Sequence, residues 1–297
     1  MLDNVRPTVI GIIGMVRTRT RQSYGYYDEV LQGVIAGAGA YDADVHVFRD
    51  NSWLWSETDA PYQGGICDGL ILFSTACLPE VFTVVGASRL PVVSVGENVI
   101  ASGMSSVDID NYGASKAAVD HLIKLGHKRI GILTGRLLGI GWARLRFAGY
   151  VDAFAQAGLP LDESLIADIV GIDFDGGYES TCQLLAQGDP PTAIVGLNDD
   201  IAMAAITRVT ELGLRVPQDV SIIGFDDVLR AERSTPPLTT MRQPTQAIGA
   251  KAVDTLMKHI ANRHLDAQQV TVPGEIMVRA STGPPPAALK AKPAKAA

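Results

Sequence analysis

Short apolar runs alternate with longer stretches of helical spacing along most of the chain. Residues 8–13, 44–48, 67–73 and 90–95 read as strands: each is brief, mostly β-branched or apolar, and bounded by turn residues. Between the first two, Val30, Val34 and Ala38 recur near helical spacing and predict a helix over about 28–40. Pro79 suits the first turn of another helix, where its missing N–H costs nothing. A short extended piece follows at 106–110, and then the pattern restarts. Asp110 or Asn111 can cap a helix that Gly126 closes; strands are predicted at 129–133 and 193–196, and helices at 145–157 and 199–212. The run Ser221-Ile-Ile-Gly-Phe-Asp-Asp227 is a buried strand that stops at two carboxylates. Beyond it lie an extended proline-rich segment, a helix over 245–261 and two short extended pieces at 269–272 and 275–278.

Two successive strand–helix arrays each call for a parallel sheet of their own. The fold class expected is therefore α/β, with two Rossmann-like subdomains. The composition, 47% hydrophobic and 19% charged over 297 residues, supplies a core large enough for both. Mean hydropathy of +0.16 is explained by strands buried on both faces, since no apolar run reaches the ~18 residues of a membrane span. The N-terminus shows no secretory signal pattern, so a cytoplasmic protein is expected. Cys67, Cys77 and Cys182 are widely spaced and suggest neither a disulfide framework nor a zinc site. A net charge of −7 argues against nucleic-acid binding by this polypeptide alone. No nucleophile elbow, phosphate loop, metal-spaced histidine cluster or complete dinucleotide fingerprint is present, so an enzyme is not expected and no cofactor is implied.

Six motifs occur in order: Gly126-His-Lys-Arg-Ile-Gly131, Arg144-Leu-Arg-Phe-Ala-Gly-Tyr150, Asn198-Asp-Asp-Ile-Ala202, Val216-Pro-Gln-Asp-Val-Ser-Ile-Ile-Gly-Phe-Asp-Asp227, Leu238-Thr-Thr-Met-Arg-Gln-Pro244 and Arg279-Ala-Ser-Thr282. Each is weak by itself. Together, from about residue 8 to 283, they make the chain resemble the effector-binding core of LacI-type transcriptional regulators. The resemblance implies a periplasmic-binding-protein-like fold of type I. Its two subdomains are joined by three crossover strands, with a small ligand in the cleft. It places the crossings near 108–110, 241–243 and 272–275. The subdomains expected are 1–108 with 245–272, and 109–244 with 273–283; a Pro/Ala/Lys-rich tail at 284–297 is expected to be disordered. The helix-turn-helix headpiece of such regulators has no counterpart here, so operator DNA would be met only through a headpiece absent from this chain.

The resemblance also names site residues. Asp226 matches the position whose carboxylate accepts hydrogen bonds from ligand hydroxyls, and a vicinal diol suits its two oxygens. Asp227 is expected to cap the helix that follows. Arg146 matches a ligand-clamping arginine; Arg144, two positions away, cannot share its helical face and is expected in a surface or interdomain ion pair. Asn198 matches a ligand contact, with an N-cap as the alternative reading. Tyr26 is a candidate stacking wall and Tyr27 a candidate core residue. Trp142 either stacks on a ligand or narrows its pocket. Phe174, or Ile172, matches an aromatic wall, and Glu97 an acidic ligand contact. For Trp53 and Trp55 the core or an interface is the better reading. The resemblance thus implies a sensor of a sugar-like effector, acting as a homodimer by allostery. A solute-binding protein of an importer is the alternative.

Overall fold

The computed structural model describes residues 6–14, 24–48, 65–73, 90–97, 102–134, 138–169 and 173–287. The expectations on Trp53, Trp55, Cys77, Ile172, the helix at Pro79 and the tail from 288 onward lie outside these residues. The described strands are β1 (Val9–Ile13), β2 (Asp44–Val47), β3 (Gly69–Phe73), β4 (Val92–Val95), β5 (Ser105–Ile109), β6 (Ile130–Leu133), β7 (Ile166–Ala167), β8 (Ala193–Gly196), β9 (Ser221–Asp226), β10 (Thr239–Arg242), β11 (Gln269–Val272) and β12 (Glu275–Met277). The described helices are α1 (Tyr24–Gly39), α2 (Asn111–Lys124), α3 (Gly141–Gln156), α4 (Phe174–Leu185), α5 (Asp199–Glu211), α6 (Leu229–Arg233) and α7 (Thr245–Ala261).

The chain forms two compact units. One holds the residues up to Ile109 together with Pro244–Val272; the other holds Asp110–Gln243 and the chain from Pro273. The chain passes between them three times, at Ile109/Asp110, Gln243/Pro244 and Val272/Pro273.

In the first unit the strand order is β11-β5-β4-β3-β1-β2, and every pairing is parallel. The strands β1, β3 and β4 are buried throughout, which is why they appear as unbroken apolar runs. The outer strands β2 and β11 are largely exposed, as edges are. Helix α7 packs on α1 at backbone contact: a Cβ at Gly33 would stand 2.1 Å from the Gln246 carbonyl oxygen, and one at Gly249 2.1 Å from that of Val30. Any larger residue would push the helices apart. Helix α1 begins at Tyr24, ahead of the expected start at 28, so Tyr26 and Tyr27 stand on its first turns. Tyr27 is buried and meets Phe73 edge-on at a centroid distance of 5.5 Å.

In the second unit the order is β12-β10-β9-β8-β6-β7; only the β10–β12 pair is antiparallel. Strand β7 and helix α4 were not anticipated, because two residues are too few to show a period and α4 carries Gly176 and Gly177 in its first turn. Helix α3 starts at Gly141, earlier than the expected 145. That extension puts Trp142 and Arg146 four residues apart on one helical face.

Candidate ligand-binding site

Strand β9 delivers Asp226 at the carboxyl end of the second sheet, where open parallel sheets bind ligands. The chain turns there under strain. Asp226 has φ 126° and Asp227 φ 62°, conformations that cost a non-glycine residue of order 1–3 kcal/mol each. The Asp226 carboxylate, 22% exposed, accepts from Gln243 Nε2 at 2.6 Å. Burial pushes its carboxyl up to about 6, against the opposing pull of Arg146 and Gln243. It therefore remains mostly ionised at neutral pH.

Asp227 is no helix cap. Its carboxylate takes Arg242 Nε at 2.6 Å and Arg279 Nη2 at 2.6 Å, while α6 begins after Val228 without a side-chain cap. The two ion pairs fasten the turn to β10 and to the segment after β12. The expectation failed because Asp before a helix suggests a cap, whereas the left-handed turn aims this side chain at the two guanidinium groups.

Arg146 rises from α3 into the same region and is 5% exposed, whereas Arg144 is exposed, as their helical offset predicts. Its Nε donates to Asn111 Oδ1 at 2.8 Å and its Nη1 to the Leu197 carbonyl oxygen. The guanidinium lies over the Phe225 ring at 3.4 Å and over the Trp142 ring at 4.6 Å. Its Nη1 is 3.9 Å from Asp226 Oδ1. The planar fork is thus fixed between two aromatic faces and two acceptors, a preorganised group for bidentate recognition. Trp142 gains a role here as a cover for Arg146.

Asn198 behaves as the N-cap of α5, its Oδ1 accepting from Ile201 N at 2.8 Å. Leu197, which holds Arg146, is its neighbour, so the cap and the clamp share one loop. Phe174 opens α4 and stacks on Tyr178 at 6.4 Å. Tyr26 and Glu97 belong to the first unit. Tyr26 meets Tyr27 edge-on at 5.3 Å, and Glu97 lies just past β4, its carbonyl oxygen accepting from Ser94 Oγ.

Several residues that shape the site were not singled out in the sequence. The sequence offers Asp110 or Asn111 as the cap of α2; Asp110 is the cap, accepting from Gly113 N at 2.9 Å, and Asn111 is buried against Arg146. Phe225 reads in sequence only as a strand residue, since successive strand side chains point to opposite faces and do not suggest that it shares a site with Asp226. Asp199, fully buried, was read only as a helix start. Its Oδ1 takes Thr240 Oγ1 at 2.5 Å and its Oδ2 takes Val228 N at 2.9 Å. Burial, then the negative charge of Asp226, holds the Asp199 carboxyl well above the usual carboxylate range.

Two α/β units joined by three crossings, with a carboxylate and a clamped arginine at the end of one parallel sheet, define a periplasmic-binding-protein-like architecture. The family model described as the periplasmic binding protein-like domain matches residues 119–282, more than half of the chain. The HTH-type transcriptional regulator DegA of Bacillus subtilis is 34% identical over 200 residues, which are 67% of this chain and 58% of DegA. The HTH-type transcriptional repressor PurR of Klebsiella pneumoniae is 30% identical over 285 residues, 92% of this chain and 80% of PurR. A transcriptional regulator CelR–cellobiose complex superposes with a TM-score of 0.74 at 26% identity, covering 92% of this chain and 84% of CelR. The chain belongs to the periplasmic binding protein-like family and is a homologue of LacI-family regulators. It spans 58% of DegA's length, little more than half.

Proposed function

We propose that this chain is the effector-sensing core of a LacI-type transcriptional regulator and that its effector is a small neutral polyol, most directly a sugar. The observation that carries the reading is the pairing of Arg146 with Asp226. One offers a rigid planar donor fork and the other a carboxylate on a strained turn, 3.9 Å apart. A carboxylate accepts two hydroxyl hydrogens, and the guanidinium donates to hydroxyl oxygens. The two charges offset one another, which favours an uncharged ligand over a phosphate ester or a carboxylate. Asn198, Trp142 and Phe174 in the same unit, and Tyr26 and Glu97 in the other, are assigned as further ligand contacts. The cellobiose bound by CelR supports a sugar over other polyols.

The output assigned to the chain is a change in the geometry of a homodimer, and hence in operator affinity through a DNA-binding headpiece. That change can be no larger than the effector's differential affinity for the two states. The role is binding, not catalysis, in a cytoplasmic protein; among the described residues no helix is long and apolar enough to cross a membrane. A thermal-shift screen of monosaccharides, disaccharides, nucleosides and sugar phosphates tests the ligand class. Stabilisation by a neutral sugar is expected. Stabilisation by sugar phosphates alone would overturn the assignment.

A further inference from the structure

We propose that Asp199 positions Asp226, bracing from beneath the strained turn that carries it. The inference rests on reading Asp226 as an effector contact. Four observations converge on the brace. Asp199 is fully buried at the start of α5, and its two oxygens reach two separate elements. One oxygen takes the hydroxyl of Thr240 on β10 at 2.5 Å; the other takes the backbone N–H of Val228, two residues past Asp226, at 2.9 Å. The strand above is bare where the carboxyl lies: a Cβ on Gly224 would stand 2.3 Å from Asp199 Oδ1. Thr240 is the register partner of Gly224, so glycine and threonine form one seat across the two strands.

Two successive positive φ values persist only where surrounding bonds over-determine the backbone. Arg242 and Arg279 hold the turn through Asp227; Asp199 holds it through Val228. Without Asp199 the Val228 N–H is left unpaired, and the turn can relax outward and carry the Asp226 carboxyl into water. Charged or titratable groups facing Asp226 are Arg146, Asp199 and Asp200; Asp227, next to it in the chain, also acts on Asp199.

The test follows the Asp226 carboxyl carbon by NMR titration of the full chain, assigned with Asp226→Asn, in wild type, Asp199→Asn, Asp199→Ala and Thr240→Val. In wild type Asp226 should titrate at about 6. Asparagine can still accept from Val228 N–H and donate to Thr240 Oγ1, so Asp199→Asn keeps that elevated midpoint. Asp199→Ala lowers it by about one unit or more, toward the ordinary carboxylate value. If Asp199→Ala does not fold, Thr240→Val decides: it removes one of the two bonds and lowers the midpoint in the same direction. An unchanged midpoint in the deciding variant overturns the proposal. So does a fall in Asp199→Asn as large as in Asp199→Ala, which would point to charge instead of bracing. The titration needs no effector, so a failed sugar screen and a failed brace are separate results.

Discussion

Arg146 Nη1 and Asp226 Oδ1 stand 3.9 Å apart, longer than a hydrogen bond, and each group is held in place by other partners. Asn111, Leu197, Trp142 and Phe225 fix the guanidinium; Gln243 fixes the carboxylate. The scaffold, not the ion pair, sets their geometry. A ligand that bridges them meets groups already ordered, which lowers the entropy lost on binding.

Removing the guanidinium should be costly even without ligand. Arg146→Ala leaves Asn111 Oδ1 and the Leu197 carbonyl without their donor and strips Asp226 of its nearby cation. A loss of about 3–5 kcal/mol is expected in urea unfolding monitored by circular dichroism. Arg146→Lys keeps the charge but loses the fork and the ring contacts. It should recover part of the stability and little of the effector affinity.

Asp226→Asn should stabilise the unliganded protein at neutral pH. The wild-type carboxyl is raised from 3.8 to about 6, so the folded state holds this proton more tightly than the unfolded state. The stability it contributes is fully present below the unfolded value and is lost as pH rises through about 6. At pH 7 the ionised, mostly buried carboxylate is therefore a burden. Its removal should add on the order of 2 kcal/mol, a gain that shrinks as pH falls below about 6 and is gone by about pH 4. Melting curves across that range check the sign.

His127 gives the opposite slope. It is buried among hydroxyls, its Nε2 donating to the Gly283 carbonyl at 2.9 Å and its Nδ1 accepting from Thr192 Oγ1 at 2.8 Å. Burial is the main cause that lowers its pKa, with His121 adding to it and the Gly283 carbonyl opposing. A histidine depressed in the folded state contributes stability above its unfolded value, lost as pH falls through the folded one. The His127 contribution to stability should thus decline on acidification below about pH 6.5, and His127→Gln should remove that part of the pH dependence when compared with wild type. The variant should also cost about 1–3 kcal/mol at pH 7, because its former partners are left poorly satisfied.

Gly224→Ala tests the seat under the turn. Its Cβ would collide with the Asp199 carboxylate at 2.3 Å, and overpacking of this kind costs about 1–3 kcal/mol. Gly139→Ala, where nothing lies within 4 Å, is the control and should leave the melting temperature nearly unchanged.

The central strands of both sheets were legible because parallel strands buried on both faces stand out as apolar runs, as in Val9–Ile13 and Ser221–Asp226; the two-residue edge strand β7 was not. Helix starts were less legible. Tyr24 and Gly141 open α1 and α3 with residues of modest propensity, and packing supplies what propensity does not. In the site, helical geometry put Arg144 and Arg146 on different faces, and the resemblance chose Arg146. Asn111, Phe225 and Asp199 were not legible, because each looks ordinary in its own element and gains its role only from neighbours distant in the chain. Asp227 misled for the same reason, since Arg279 lies 52 residues away.

The most direct measurement is titration calorimetry of a panel of neutral sugars, cellobiose included, into wild type and Asp226→Asn. At least one sugar should give saturable heat with wild type and bind the variant about 30-fold or more weakly, the loss of a charge-assisted pair of hydrogen bonds. Equal binding to both proteins, or no neutral sugar bound by wild type, would contradict the assignment of Asp226 to a sugar effector.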